Sequence, residues 1–97
     1  DIDLKNYNLN PELLETRISD CTKAILPVSL YGQCPDMDRI NEIADSYKIP
    51  VIEDAACAAG SEIKLGNKWE KIGKPHGDIA CFSFHPRKLI TTGDVVV

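Results

Sequence analysis

The sequence lacks the short motifs that mark the common nucleotide-binding and metal-binding sites. It contains neither a G-x-G-x-x-G segment nor a Walker A segment, so the usual signals of dinucleotide and P-loop proteins are missing. No two of its four cysteines form a C-x-x-C pair, and with the two histidines they do not have the spacing of zinc ligands. We therefore expect no metal site. We expect reduced, mostly buried thiols in a cytoplasmic protein at Cys21, Cys34, Cys57 and Cys81.

Long apolar runs and an excess of basic residues are also missing. No apolar run approaches the roughly 20 residues that a membrane-spanning helix needs, and the N-terminus does not resemble a signal peptide. The net charge of −4 disfavours a general surface for nucleic acid or anionic membrane, because phosphates require a basic face. A chain of 97 residues with 43% apolar residues suits one modest soluble domain. Since it does not begin with methionine, we expect a piece of a longer protein.

The first half of the chain alternates helix and strand signals. Asn10-Pro11-Glu12 predicts a helix start, because Asn caps and Pro suits the first helical position, and we expect this helix to run to about Ser19. The apolar segment 22–28 predicts a strand that has Pro27 near its end. Apolar residues then recur at helical spacing from Asp36, the expected cap, to about residue 48. Residues 1–9 leave an edge strand and a loop as alternatives.

The second half of the chain predicts two further strands around a polar segment. Residues 51–54 form a short apolar strand that ends in two carboxylates, followed by small residues at 55–60 that permit close packing or a short helix. Residues 61–77 predict a hairpin or an exposed excursion. A buried strand is expected over 79–84, and another strand begins at Val95.

These elements predict an α/β fold with an open, mainly parallel sheet flanked by helices. A right-handed strand-helix-strand crossover makes the first two strands parallel neighbours, and ligands of such sheets lie beyond the carboxyl ends of the strands. Asp54 and Lys88 both follow such ends, with Ser83 five residues before the lysine and His85 near enough to line a pocket. From the residues alone, Lys88 could equally be a solvated surface lysine, Asp54 a helix cap, and Ser83 a backbone-bonded hydroxyl. Alternation places Glu53 on the opposite face from Asp54.

Three blocks of the sequence resemble the DegT/DnrJ/StrS-type sugar aminotransferases, which are pyridoxal-phosphate enzymes of fold type I. The blocks are P-V-S-L-Y-G-Q-C-P-D-M-D at 27–38, V-I-E-D-A-A-C-A-A-G at 51–60 and F-S-F-H-P-R-K-L-I-T-T-G-D at 82–94. The resemblance implies that residues 1–97 are a partial, cofactor-binding large domain, without a complete second domain. It also implies that this piece alone turns over nothing.

The resemblance assigns roles to four residues. Lys88 matches the lysine that bonds covalently to pyridoxal phosphate and moves the proton in catalysis. Asp54 matches the carboxylate that pairs with the pyridinium nitrogen, and Ser83 matches a hydroxyl that helps hold the phosphate. Cys57 stands where the family usually has Gln or His beside the ring. Ser29 likewise replaces a usual His, and the two glycines that normally follow Asp94 are absent.

The implied activity is transfer of an amino group from an amino acid, expected to be glutamate, to a keto sugar attached to a nucleotide. Relatives of this kind are homodimers whose active sites borrow residues from the second subunit. One alternative is a sugar dehydratase of the same fold, although such relatives usually replace the lysine with His, so Lys88 argues against it. The other alternative is a non-catalytic α/β fragment that binds a partner and no cofactor.

Overall fold

A computed structural model describes residues 1–93 of the chain. The strand expected from Val95 lies outside the described residues, as does Asp94. Two α-helices, two 3-10 turns and four strands make up the described part. They are α1 (Pro11–Leu14), a 3-10 turn (Glu15–Arg17), a second 3-10 turn (Leu30–Gly32), α2 (Met37–Tyr47), β1 (Ile52–Asp54), β2 (Glu62–Leu65), β3 (Lys68–Lys71) and β4 (Ile79–Cys81).

The first helix begins where the sequence predicts but ends earlier. The side chain of Asn10 accepts a hydrogen bond from the amide of Glu12 at 3.0 Å, and Pro11 occupies the first helical position. The α-helix ends at Leu14 and tightens into the 3-10 turn, so the expectation of a helix to Ser19 is wrong. Ile18 already has extended backbone, and it packs against the core from there.

Helix α2 has the predicted bounds and begins at the predicted cap. The side chain of Asp36 accepts from the amide of Arg39 at 3.1 Å, which satisfies one of the free donors at the helix start. Lys48 adopts the left-handed conformation and ends the helix, and the amide of Ile49 donates back to the carbonyl of Ala44. The apolar side of the helix, which includes Ile40 and Ile43, is buried as its spacing predicts.

The strand predicted over residues 22–28 is reduced to two isolated parallel bridges, at Ile25 with Val51 and at Val28 with Asp54. The carbonyls of Ile25 and Pro27 accept from the amides of Ile52 and Asp54, each at 2.9 Å. Pro27 has no N–H to return a bond to the neighbouring segment, so the ladder is interrupted in its middle. The parallel pairing is nevertheless the one that the strand-helix-strand pattern predicts.

Strand β4 pairs in parallel with the other edge of β1, and Asp54 lies opposite Cys81 in that register. The strand ends at Cys81, not at residue 84, and its side chains are largely exposed, so the expectation of a buried strand is wrong. Its only described neighbour is β1, and nothing within residues 1–93 covers its outer face. Strands β2 and β3 form an antiparallel hairpin, which is one of the two alternatives predicted for residues 61–77, with Gly66 at positive φ in the two-residue turn.

The core lies between α2 and one face of the parallel segments. Burial alternates along these segments, so that Ile25 and Val51 face α2 while Leu26 and Val28 remain 55% and 40% exposed on the other side. We call this second side the open face. By register it carries Leu26, Val28, Ile52, Asp54, Ile79 and Cys81.

Two further expectations of the sequence are corrected or decided by this arrangement. Cys21, Cys57 and Cys81 are exposed and only Cys34 is half-buried, so the expectation of mostly buried thiols is wrong. All four cysteines are free. Residues 1–9 form a loop that closes on itself through one antiparallel bridge between Ile2 and Leu9.

The small residues that follow β1 pack closely. Close packing is one of the two alternatives predicted for residues 55–60, and the other is a short helix. Ala55 and Ala58 are fully buried against Ile72 in a second, smaller core cluster.

Within the described part of the chain, no helix has the length and apolar character to cross a membrane. The same residues contain no cluster of three or more His, Cys, Asp or Glu side chains arranged to hold a metal ion.

Candidate functional site

A cleft of about 580 Å³ opens between the segments that follow β1 and β4. This volume lies within the range of small-molecule sites, roughly 300 to 1,000 Å³. The segment after β1 contributes small residues and a thiol, and the segment after β4 contributes hydroxyl, imidazole, guanidinium and amine groups. The lining residues are Ala56, Cys57, Ala59, Ser83, His85, Arg87, Lys88 and Leu89.

The segment that carries Lys88 is a loop fastened to its own beginning. The amide of Lys88 donates to the carbonyl of His85 at 2.8 Å. Farther along, the hydroxyl of Thr91 and the amide of Thr92 both donate to the carbonyl of Phe84, at 3.0 and 3.2 Å. Pro86 and Arg87 form the turn between His85 and Lys88, and Lys88 lies inside the resulting loop.

Lys88 and Cys57 are in direct contact in the cleft. The Nζ atom of Lys88 donates to the Sγ atom of Cys57 at 3.0 Å. The lysine is half-buried and the cysteine is exposed, so the amine is anchored at one end of the cleft yet remains accessible to a ligand. The amine of Lys88 is therefore not solvated on all sides.

Ser83 and His85 line the same cleft, His85 as expected. The hydroxyl of Ser83 accepts from the amide of His85 at 3.4 Å, and Nδ1 of His85 accepts from the amide of Arg87 at 3.2 Å. The hydroxyl of Ser83 therefore already has a backbone donor, yet its own proton can point into the cleft. With the side chains of Arg87 and Lys88 it forms a set of donors suited to an anionic group.

Asp54 does not belong to this group of lining residues. It ends β1 on the open face, and its Oδ1 atom accepts from the amide of Ala56 at 2.9 Å. This bond caps the turn that leads to Cys57. Residues 55–60 form turns and no helix, so the alternative of a helix cap is wrong. Within residues 1–93 the cleft thus brings together Lys88, Ser83 and Cys57, and Asp54 stands at the strand end beside it.

Glu53 has a role that the sequence analysis missed. As alternation predicts, it faces away from Asp54, and it is only 2% exposed. Its Oε1 atom accepts from the amides of His76 and Gly77, the latter at 2.6 Å, while Oε2 lies 3.7 Å from Nδ1 of His76. A buried acid in an apolar strand requires such donors, and this requirement is the signal that could have revealed the contact.

Glu70 and Cys34, which both lie away from the cleft, have shifted pKa values. The hydrogen bond from Lys74, 2.9 Å away, lowers the pKa of Glu70, and the imidazole of His76 at 3.3 Å acts in the same direction. Burial raises the pKa of the Cys34 thiol, a hydrogen bond with Ser29 opposes this rise, and the charge of Glu53 adds to it. The thiol of Cys34 is therefore held back from ionising.

The chain matches the family model of the DegT/DnrJ/EryC1/StrS aminotransferase family over residues 1–95. One similar protein is the UDP-2-acetamido-2-deoxy-3-oxo-D-glucuronate aminotransferase of Pseudomonas aeruginosa, which is 53% identical over 91% of this chain and 23% of its own length. The GDP-perosamine synthase of Caulobacter vibrioides is 47% identical over 97% of this chain and 24% of its own length.

The fold agrees with that of solved aminotransferases. The crystal structure of the aminotransferase from Psychrobacter cryohalolentis superposes with a TM-score of 0.83 at 36% identity, over 94% of this chain and 22% of that one. The α/β class predicted from the sequence is thereby confirmed. The chain spans about a quarter of the length of the curated relatives that it matches. The chain belongs to the DegT/DnrJ/EryC1/StrS aminotransferase family.

Proposed function

We propose that the whole protein is a pyridoxal-phosphate-dependent aminotransferase that moves an amino group from an amino acid, expected to be glutamate, to a nucleotide-linked keto sugar. The family assignment supports aminotransfer. The names of the two relatives, one a UDP-sugar aminotransferase and the other a GDP-perosamine synthase, support a nucleotide sugar as acceptor. Residues 1–97 would supply part of the cofactor-binding large domain of this enzyme.

The chemistry of the donor groups in the cleft fits the cofactor at two of its ends. The amine of Lys88 can bond covalently to the aldehyde group of the cofactor. The hydroxyl of Ser83, beside Arg87, suits the phosphate group of the cofactor. The carboxylate of Asp54 at the end of β1 would pair with the ring nitrogen, and Cys57 would lie beside the ring. When bound, pyridoxal phosphate supplies an electron sink for the bond that loses its proton.

In this proposal Lys88 has two tasks. Its Nζ atom would hold the cofactor covalently, and as a free amine it would accept a proton from the substrate carbon and return it. The contact of Nζ with Cys57 at 3.0 Å is the observation that carries the proposal, because the amine that the proposal requires then lies at the cleft and remains accessible to a ligand. The loop closed at Phe84 would restrict the amine to positions from which it can reach a ligand there.

Borohydride reduction of the whole protein tests the assignment of Lys88. Reduction should attach the cofactor irreversibly to the peptide that contains Lys88, as detected by mass spectrometry. The variant Lys88→Ala should lose the attachment. The matched control Lys64→Ala, which removes an exposed lysine of β2, should retain it. Attachment to another lysine, or to none in a protein that contains the cofactor, would show the assignment to be wrong.

Product analysis separates aminotransfer from its alternatives. With glutamate and a UDP-linked 3-keto sugar acid or a GDP-linked keto sugar, we expect an amino sugar and 2-oxoglutarate. A dehydratase would instead give a sugar that has lost a hydroxyl group. If pyridoxal phosphate causes no spectral change in the whole protein, the non-catalytic reading of this chain is correct and the aminotransferase proposal fails.

The proposal includes the compartment and the assembly. We propose a cytoplasmic homodimer, in which the second subunit contributes residues to each active site. The four free cysteines support a reducing compartment. Sedimentation of the whole protein should give twice the mass of one chain, and fractionated cells should contain it in the cytoplasm. A monomer with full activity would contradict the shared site.

A further inference from the structure

The thiol of Cys57 and the amine of Lys88 form a reactive pair inside an accessible cleft. Their Sγ and Nζ atoms are 3.0 Å apart, and the exposed thiol can be reached by a small oxidant. Cys21 and Cys81 are also exposed, yet in the described part of the chain no lysine amine contacts either of them. Cys57 is therefore distinguished by its neighbour and not by exposure alone.

We propose that Cys57 and Lys88 form a reversible oxidative cross-link, a sulfenamide between Sγ and Nζ. A hydroperoxide first transfers one oxygen to the thiol, which gives a sulfenic acid and, from hydrogen peroxide, one water. Sulfur is oxidised by two electrons and the peroxide is reduced. The neutral amine of Lys88 then attacks sulfur, the S–O bond breaks, and hydroxide leaves with a proton from nitrogen as a second water.

The geometry favours this second step over further oxidation. A sulfenic acid persists only until a nucleophile reaches its sulfur, and nitrogen nucleophiles as well as thiols can do so. The amine of Lys88 is already at hydrogen-bond distance, and the loop closed at Phe84 restricts its departure. A thiol reductant reverses the link by forming a mixed disulfide with Cys57 and releasing the amine, and a second thiol then restores the cysteine.

The cross-link would also act as a switch on the cofactor site. It occupies the nitrogen to which pyridoxal phosphate would bond, so the oxidised protein could not bind the cofactor covalently until it is reduced. This consequence rests on the proposed function, whereas formation of the cross-link does not. Conversely, a cofactor already bonded to Lys88 would protect that amine.

Mass spectrometry of the cofactor-free whole protein tests the cross-link directly. After treatment with hydrogen peroxide and trypsin without reductant, we expect the Cys57 and Lys88 peptides joined, with the mass of two hydrogens lost and cleavage after Lys88 blocked. Dithiothreitol should abolish this species. Cys57→Ser and Lys88→Arg should both lack it, and Lys88→Gln serves as a second variant if the arginine disturbs folding, as judged by circular dichroism. The matched control Cys21→Ser should retain it.

Each outcome decides the proposal. If peroxide converts Cys57 to sulfinic acid in the unmodified protein without joining it to Lys88, or joins it to another residue, the proposal is wrong. Unoxidised Cys57 under conditions that oxidise Cys21 contradicts it as well. Cross-linking in a protein whose Lys88 does not bond to the cofactor would leave this inference standing and refute the proposed function. Borohydride labelling of Lys88 without any cross-link would support the proposed function and refute this inference.

Discussion

Replacing Glu53 should destabilise the junction between β1 and the turn before β4. The Oε1 atom of this buried carboxylate accepts from the amides of His76 and Gly77, which fixes the chain just before β4 pairs with β1. Glu53→Ala leaves two donors without an acceptor, at about 1–3 kcal/mol for each that stays dry. Because residues 76 and 77 are half-buried, water can replace part of the loss. We expect a total cost of about 2–4 kcal/mol.

Glu53→Gln is the sharper variant, because its amide oxygen can still accept both bonds. Only the assistance of the negative charge is lost, about 1 kcal/mol for each bond. The expected cost is therefore about 1–2 kcal/mol, clearly below that of the alanine variant. A matched control is Glu62→Ala, which removes an exposed carboxylate paired with Lys71 at 2.8 Å and should cost about 0–1 kcal/mol.

Hydrogen exchange in the whole protein measures these differences locally. The amides of His76 and Gly77 should exchange fastest in Glu53→Ala, more slowly in Glu53→Gln and slowest in the unmodified protein, because the exchange rate reports the free energy of local opening. Urea unfolding gives the global value for comparison. If Glu53→Ala is no more costly than Glu62→Ala, or if glutamine is as damaging as alanine, the carboxylate does not hold this turn through the two amides.

Two more predictions concern the same region. A Cβ at Gly77 would lie 2.8 Å from Cβ of Val51 and 2.9 Å from its carbonyl oxygen, so Gly77→Ala should lower the free energy of unfolding by about 1–3 kcal/mol in urea titrations. Gly66→Asn, at a turn with no atom within 4 Å, should cost less, and equal losses would contradict the steric argument. Lys74 lowers the pKa of Glu70, so their pairing stabilises the fold above the ordinary pKa of glutamate and is lost as the pH falls through the lowered value. The urea midpoints of the unmodified protein and of Lys74→Gln should therefore differ at neutral pH and converge in acid, and a difference independent of pH would refute this assignment.

The sequence predicted best those elements whose signals are local. Helix α2 has its cap, its apolar side and its end within one continuous stretch, so Asp36 and Ile40 could be assigned without knowledge of neighbours. The prediction of a continuous strand over residues 22–28 was wrong because of how this segment pairs with β1. Pro27 lies where the ladder to β1 needs a donor, and the sequence alone does not tell which residues of a strand must donate.

Burial was predicted less well than position, because it depends on what covers each face. Cys81 and the side chains of β4 have the apolar pattern of a core strand, yet they are exposed within the described residues. The pattern shows which side of a strand is apolar, but it does not show which segment packs on that side. Leu26 and Ile79 on the open face are likewise exposed within residues 1–93.

The candidate site depends on the alternation of two adjacent acids. Glu53 and Asp54 are neighbours in β1, and the pleat of the strand turns them to opposite faces. Glu53 is enclosed on the core side, where two backbone amides bind its Oε1 atom, so it is not free to serve a ligand. Asp54 lies on the open face at the end of the same strand, three residues before the thiol that contacts Lys88. If Asp54 pairs with a cofactor ring as proposed, Asp54→Asn should weaken cofactor binding in the whole protein and leave the amides of His76 and Gly77 protected, whereas Glu53→Gln should loosen those amides first. Spectral titration with pyridoxal phosphate beside hydrogen exchange would measure both effects, and the same response from the two variants would mean that the acids do not have separate tasks.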